Sequence, residues 1–131
     1  MADASNKSEL QIHRTADFVS RYANNMRFES YGSDLKVLFG QSDQASGKEV
    51  IEQHTAITLS WPQVKLAIYY LQAQLTVYEG QTGRPVIIHP ISIPQPFPDE
   101  VPEERQGDQH AQETLEHLRD LRRQFISGVN G

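Results

Sequence analysis

The sequence predicts an α+β fold, in which a three- or four-stranded antiparallel meander is packed by one long helix. A Pro-rich arm and a C-terminal amphipathic helix follow. Three observations predict this order: alternating apolar and polar residues before position 60, a helical pattern after it, and a cluster of prolines from position 85 onward. We therefore divide the chain into a polar N-terminal segment (1–19), a β-β-β-α body (20–88), a Pro-rich acidic arm (89–107), a C-terminal helix (108–127) and a tail (128–131).

The first two strands are predicted from residues that alternate with a period of two, as in a half-buried strand. In the first strand the alternating positions are Tyr22, Asn24, Met26 and Phe28. A turn at residues 30–33 contains Gly32, and the second strand carries Leu35, Val37 and Phe39 before Gly40 ends it. The short turn predicts a β-hairpin.

A polar loop over residues 41–48 leads to a third strand that is rich in Ile and Thr, residue types that favour strands. We expect this strand over residues 50–59, with Ile51, Ile57 and Leu59 on one side. The body thus has at least three antiparallel strands. The sequence leaves open whether residues 86–88 add a fourth strand at the edge of the sheet.

A helix is predicted from Ser60 to about Gln81 or Thr82. Ser60 can accept from the first-turn amides, Gln63 has capping-box spacing, and Pro62 suits a first turn. Gly83 provides a C-terminal stop.

This helix has two apolar stripes, roughly 140° apart by the 3.6-residue period. The first consists of Val64, Ala67, Ile68, Leu71, Leu75 and Tyr78; the second consists of Leu66, Tyr70, Ala73 and Val77. A sheet can cover only one of them. We therefore expect the second stripe to contact another surface, from this chain or from a partner.

The arm and the last helix supply further apolar residues. Six of the seven prolines lie between Arg84 and Pro102, which excludes a helix or a central strand there. The candidate interaction surface, beyond the second stripe, comprises Ile91, Ile93, Phe97, Leu115, Leu118 and Phe125. The arm and helix can dock on their own body or on a neighbouring subunit. Trp61, at the sheet-to-helix corner, either fills a gap or anchors this arrangement.

Composition restricts the chemistry that we expect. The chain has 131 residues, a formal charge of −5 and no cysteine, so disulfides and thiolate sites are excluded and a nucleic-acid partner is disfavoured. The longest apolar run, residues 66–71, is too short for a membrane span. His110, Glu113 and His117 share a helix side, but we interpret them as a solvated flank rather than a metal site. We predict no catalytic, metal-binding or cofactor-binding residue.

Several short motifs resemble the bacterial and archaeal family catalogued as domain of unknown function 3467. They cover about residues 20–88 and are Tyr22-Ala23-Asn24-Asn25, Asp34, Phe39-Gly40, His54-Thr55, Ile57-Thr58-Leu59-Ser60, Lys65, Leu71, Leu75, Tyr78-Glu79 and Gly83. The sequence departs from the family pattern at Trp61, which separates the capping serine from Pro62, and at Ala56, where a basic residue is common. The resemblance implies no activity, cofactor or catalytic residue.

A looser similarity, through Gln11-Ile12-His13-Arg14 and Phe28-Glu29-Ser30, is to the SecB-type export chaperones. It is an analogy at the level of fold, and a fold alone does not establish a function.

From these patterns we expect a cytoplasmic, non-enzymatic, homo-oligomeric protein-interaction module. Its partners are itself and other polypeptides, which it would bind in a chaperone-like manner. The alternative is a small regulatory nucleic-acid-binding protein, suggested by the cluster Arg119, Arg122 and Arg123. The same arginines also oppose the dipole at the end of the last helix, which suffices to explain them.

Overall fold

The computed structural model describes residues 9–43 and 49–129. The start of the N-terminal segment, most of the loop after the second strand and the last two residues lie outside the described residues. The chain divides into two compact units, residues 1–66 and 67–131, with the boundary inside a long helix. The first unit contains the sheet, and the second contains most of that helix, the arm and the C-terminal helix.

The sheet is a three-stranded antiparallel meander of β1 (Asn25–Ser30), β2 (Asp34–Asp43) and β3 (Val50–Ser60) in the order β1-β2-β3. The α+β fold and the predicted hairpin are confirmed. Two predicted strand bounds are wrong: β1 begins at Asn25, after Tyr22 and Asn24, and β2 continues past Gly40 to Asp43 because its pairing with β3 extends that far. Cross-strand pairing joins Phe28 to Val37 and Val37 to Ile57. One face is therefore apolar, because side chains alternate along each strand. Its members are Met26, Phe28, Leu35, Val37, Phe39, Ile57 and Leu59.

A β-bulge interrupts β3 at His54. Phe39 pairs with Thr55, but Gly40 pairs with Gln53, so His54 is an extra residue on β3. The bulge inverts the alternation of side chains in the part of β3 that precedes it. Ile51, which pairs with Ser42, therefore lies on the face opposite Ile57. The prediction that Ile51, Ile57 and Leu59 share one side is therefore wrong for Ile51.

Helix α1 (Trp61–Thr82) begins and ends as its sequence predicts. The Ser60 Oγ accepts a hydrogen bond from the Gln63 amide at 3.3 Å, which caps the first turn. At the other end Gly83 has a φ of 74°, a left-handed conformation that favours glycine, and its amide donates to the Glu79 carbonyl at 2.9 Å. Among the described residues, neither α1 nor any other helix contains an apolar stretch of the length that a membrane span requires.

Trp61 anchors the start of α1. Its indole Nε1 donates a hydrogen bond to the Tyr31 carbonyl oxygen at 3.1 Å, which ties the helix to the β1–β2 turn. The side chain remains 40% exposed. This hydrogen bond does not involve the arm, so the two roles that the sequence suggested for Trp61 stay predictions.

Residues 86–88 do not form a fourth strand. The Val86 amide donates to Oε2 of Glu79 at 2.7 Å, so this donor is engaged by the carboxylate of α1 instead of a β-ladder. The arm continues with two short 3₁₀ turns, at Pro90–Ser92 and Glu103–Arg105.

Helix α2 (Gln109–Val129) forms where the C-terminal amphipathic pattern predicts it, and it continues one residue past Gly128. Asp108 is the N-cap of α2: its Oδ1 accepts from the Ala111 amide at 3.2 Å. Its Oδ2 accepts from the guanidinium of Arg105 at 2.9 Å. The acidic side chain also opposes the positive end of the helix dipole.

The Arg105 hydrogen bond, assisted by the Ala111 amide, lowers the pKa of Asp108 below its ordinary value of 3.8. A depressed carboxyl pKa stabilises the fold above the ordinary value, and this stabilisation is lost as pH falls through the lower folded pKa. We expect a carbonyl ¹³C titration of Asp108 to give a midpoint below 3.8. Arg105→Gln should raise it, whereas Arg105→Lys should largely retain the shift. An unchanged midpoint in Arg105→Gln would contradict the assignment.

Candidate functional site

The second stripe of α1 is open to solvent in the single chain. Tyr70 is 59% exposed and Val77 is 56% exposed; Leu66 is also exposed and Ala73 is half-buried. These four predicted residues lie together, because positions three and four apart share one side of a helix. They form a continuous apolar stripe within one element.

The remaining sides of α1 are also largely apolar. Among its 22 residues the only charged ones are Lys65 and Glu79, and none of its residues is buried. Exposed aromatic or aliphatic side chains outside the second stripe include Ile68, Tyr69, Leu71, Leu75 and Tyr78. A helix that is apolar on all sides is normally covered on all sides. Four of these side chains, Ile68, Leu71, Leu75 and Tyr78, belong to the first stripe, so residues of both stripes are exposed in the single chain.

The arm folds back on α2 within the second unit. Val101, 7% exposed, lines a crevice together with Leu115 and Leu118, and the Arg122 Nε donates to the Pro94 carbonyl at 3.0 Å. Leu115 and Leu118 are half-buried, so part of the predicted surface is already covered by the arm of the same chain.

The other predicted residues of the arm and α2 are more open. Ile91, Phe97 and Phe125 are exposed, and Ile93 is half-buried. Of the ten candidate residues, four lie on α1 and six belong to the arm and α2.

Two exposed residues of β1 were missed as candidates. Met26 and Phe28 belong to the apolar face of the sheet, yet they are 61% and 58% exposed. Their alternation predicted a strand with a buried side, but alternation does not reveal which strand lies at an edge. The edge position of β1 leaves both side chains without neighbours on one flank.

The residues of the family-like motifs converge at the bulge. A crevice of about 570 Å³ is lined in part by Ala23, Asn24, Asn25, Phe39, His54 and Thr55. These positions are far apart in the sequence, and the register of the three strands brings them together.

Hydrogen bonds at the bulge hold the chain that enters β1. His54 Nε2 contacts the Tyr22 carbonyl at 3.0 Å and its Nδ1 contacts the Thr55 hydroxyl at 2.8 Å. The Ser42 amide donates to Oδ1 of Asn24 at 2.7 Å. Since both ring nitrogens of His54 are engaged, we assign His54 a structural role: it holds the segment that precedes β1.

The basic cluster of α2 is engaged by neighbouring acceptors. Besides the Arg122 contact with Pro94, Arg119 lies 3.9 Å from the Asp99 carboxylate, and Arg123 forms an ion pair with Asp120. These contacts offset the positive charge that a phosphate backbone would need. Within the described part of the chain, no group of three His, Asp or Glu side chains is arranged to hold a metal ion. This finding includes His110, Glu113 and His117.

No protein-family model matches the chain, and comparisons with curated proteins and with solved structures also return no match. The resemblance to domain of unknown function 3467 and the looser one to SecB-type chaperones therefore stay predictions.

Proposed function

We propose that the chain is a non-enzymatic interaction module that assembles with copies of itself and presents apolar surface to other polypeptides. The single observation that carries the proposal is the character of α1. It is a 22-residue helix with two charged residues, apolar side chains on every side and none of them buried. The cytoplasmic location and the chaperone-like activity are parts of the same proposal.

The energetics support self-assembly. Burial of a large aliphatic or aromatic side chain contributes about 1.5–3 kcal/mol. Val37 and Val101 are the buried apolar residues among those described. Most large apolar side chains therefore remain exposed in a single chain. Association with another copy buries some of them and stabilises the folded state.

The test is a pair of substitutions measured by light scattering at micromolar concentration. We expect the unmodified chain to give a multiple of 14.9 kDa. Val77→Asp places a charge within the second stripe, so it should reduce the mass or lower the Tm. Its matched control is Gln72→Asp, which adds the same charge near the helix line shared by Lys65 and Glu79 and should retain both properties.

Two results would contradict the proposal. A mass of 14.9 kDa for the unmodified chain would remove self-assembly. Equal masses and melting temperatures for Val77→Asp and the unmodified chain would show that the second stripe faces solvent in the assembly. Polypeptide binding is tested separately, by whether the chain slows the aggregation of an unfolded model protein and whether Tyr70→Asp abolishes that effect.

A further inference from the structure

Strand β1 lies at the edge of the sheet, and its outward backbone groups are defined by the hairpin. The Tyr31 amide donates to the Asp34 carbonyl at 2.9 Å, so this residue pair is hydrogen-bonded. Residues two apart on a strand direct their backbone groups to the same side. Arg27 and Glu29 therefore bond to β2, while Met26, Phe28 and Ser30 direct their N–H and C=O groups to the open edge.

The side chains of β1 are complementary to a second, antiparallel copy of the same strand. If Phe28 lies opposite its own copy, Met26 lies opposite Ser30 of the partner, and each of these pairs exchanges both of its backbone hydrogen bonds. The same register places Arg27 opposite the partner's Glu29, and Glu29 opposite the partner's Arg27. Both ion pairs then occupy non-hydrogen-bonded positions, where opposing side chains are closest.

The charges of β1 are available for this pairing. Arg27 is exposed, lies across from the apolar Leu38 on β2, and has no ion-pair partner among the described residues. Glu29 lies 3.8 Å from Lys36 and accepts a hydrogen bond from the Tyr31 hydroxyl at 3.1 Å through Oε1. Its second oxygen can accept from a guanidinium.

The opposite edge of the sheet is less suited to pairing. The bulge at His54 interrupts β3, and bulges are one way in which proteins block edge-to-edge association. The segment that precedes β1 does not cover the β1 edge near its start, because the Tyr22 carbonyl is held at His54 on the β3 side. β1 is thus the uninterrupted edge, and it is the one that carries complementary charges.

We propose that two copies of the chain pair through β1, antiparallel and centred on Phe28, to form one continuous six-stranded sheet. Reciprocal Arg27–Glu29 ion pairs fix the register, and the Met26 and Phe28 side chains of both copies lie on one shared apolar face. The inference rests on the proposed self-assembly and identifies a second copy as the occupant of this edge.

The test uses the absence of cysteine in the chain. In the proposed register the Phe28 α-carbons of two copies lie about 5.5 Å apart, within the range of a disulfide. Phe28→Cys should form a covalent dimer rapidly under mild oxidation. Met26→Cys is the matched control: its copies lie about 13 Å apart at the strand rise, so it should not cross-link. Equal cross-linking of both variants, or of neither, would overturn the register.

A charge exchange provides a second measurement that does not depend on the folding of a cysteine variant. Arg27→Glu places like charges at both ion-pair positions and should raise the dimer Kd by about tenfold. Adding Glu29→Arg restores opposite charges and should recover most of the affinity. A double variant as weak as Arg27→Glu would contradict the pairing.

The outcomes separate this inference from the proposed function. Self-assembly without a cross-link in the Phe28→Cys variant and without charge-exchange recovery would overturn the β1 interface and leave assembly through α1 intact. A monomeric mass for the unmodified chain would overturn both.

Discussion

Replacing Gly40 by alanine is expected to cause the largest loss of stability in the first unit. A Cβ at this position would lie 2.4 Å from the backbone carbonyl oxygen of Glu52, closer than real Cβ atoms approach. The obstacle is backbone, so β2 and β3 must separate next to the bulge. We expect a loss of about 3 kcal/mol or more and a decrease in Tm of about 10 °C or more, measured by thermal denaturation.

The control for Gly40→Ala is Gly32→Ala in the β1–β2 turn. A Cβ at Gly32 would meet nothing within 4 Å, and this variant should melt within a few degrees of the unmodified chain. If Gly40→Ala melts at the same temperature as Gly32→Ala, the close approach of β2 and β3 at the bulge is wrong. The same result would also contradict the register of β2 and β3 that brings the residues around the His54 crevice together.

Substituting Val101 by aspartate is expected to release the arm from α2. Val101 is the most buried apolar side chain described, and an unpaired carboxylate in its place would cost about 3 kcal/mol or more. α2 would then lose the contacts of its apolar stripe, and most of the stability of a helix in a protein comes from the packing of that stripe. We expect a clear loss of helical far-UV circular dichroism and faster amide exchange over residues 94–126.

Val86→Asp is the matched control for this substitution. Val86 lies in the same Pro-rich segment but is 41% exposed, so a carboxylate there remains solvated. It should retain the helical signal and the amide protection of α2. If Val101→Asp behaves in the same way as Val86→Asp, the arm does not pack on α2 within one chain, and the alternative of docking on a neighbouring subunit regains support.

Local sequence signals predicted the elements well, because each signal acts within one or two helical turns or across a short turn. Ser60 and Asp108 cap helices where their short side chains can reach first-turn amides. Gly83 ends α1 because it adopts a positive φ. The alternation in β1 and β2 predicted both strands and the hairpin that joins them.

The candidate surface was predicted less completely, since it depends on which elements are neighbours. The helical period identified Tyr70 and Val77 as a stripe beyond the reach of the sheet, and both are exposed in the single chain. The same period placed Leu115 and Leu118 on a surface for partners, whereas Val101 of the arm partly covers them. Periodicity identifies an apolar side but not the segment that packs against it.

By itself, the sequence determined the order of the strands and helices, the start and end of α1, and the excess of apolar residues on that helix. Only the tertiary structure decided the bulge at His54, the reversed side of Ile51 and the open edge of β1. The physical reason is range: capping and periodicity depend on residues a few positions apart. The bulge depends on the pairing of Phe39 with Thr55 and of Gly40 with Gln53, which are more than ten residues apart, and no local pattern encodes that pairing.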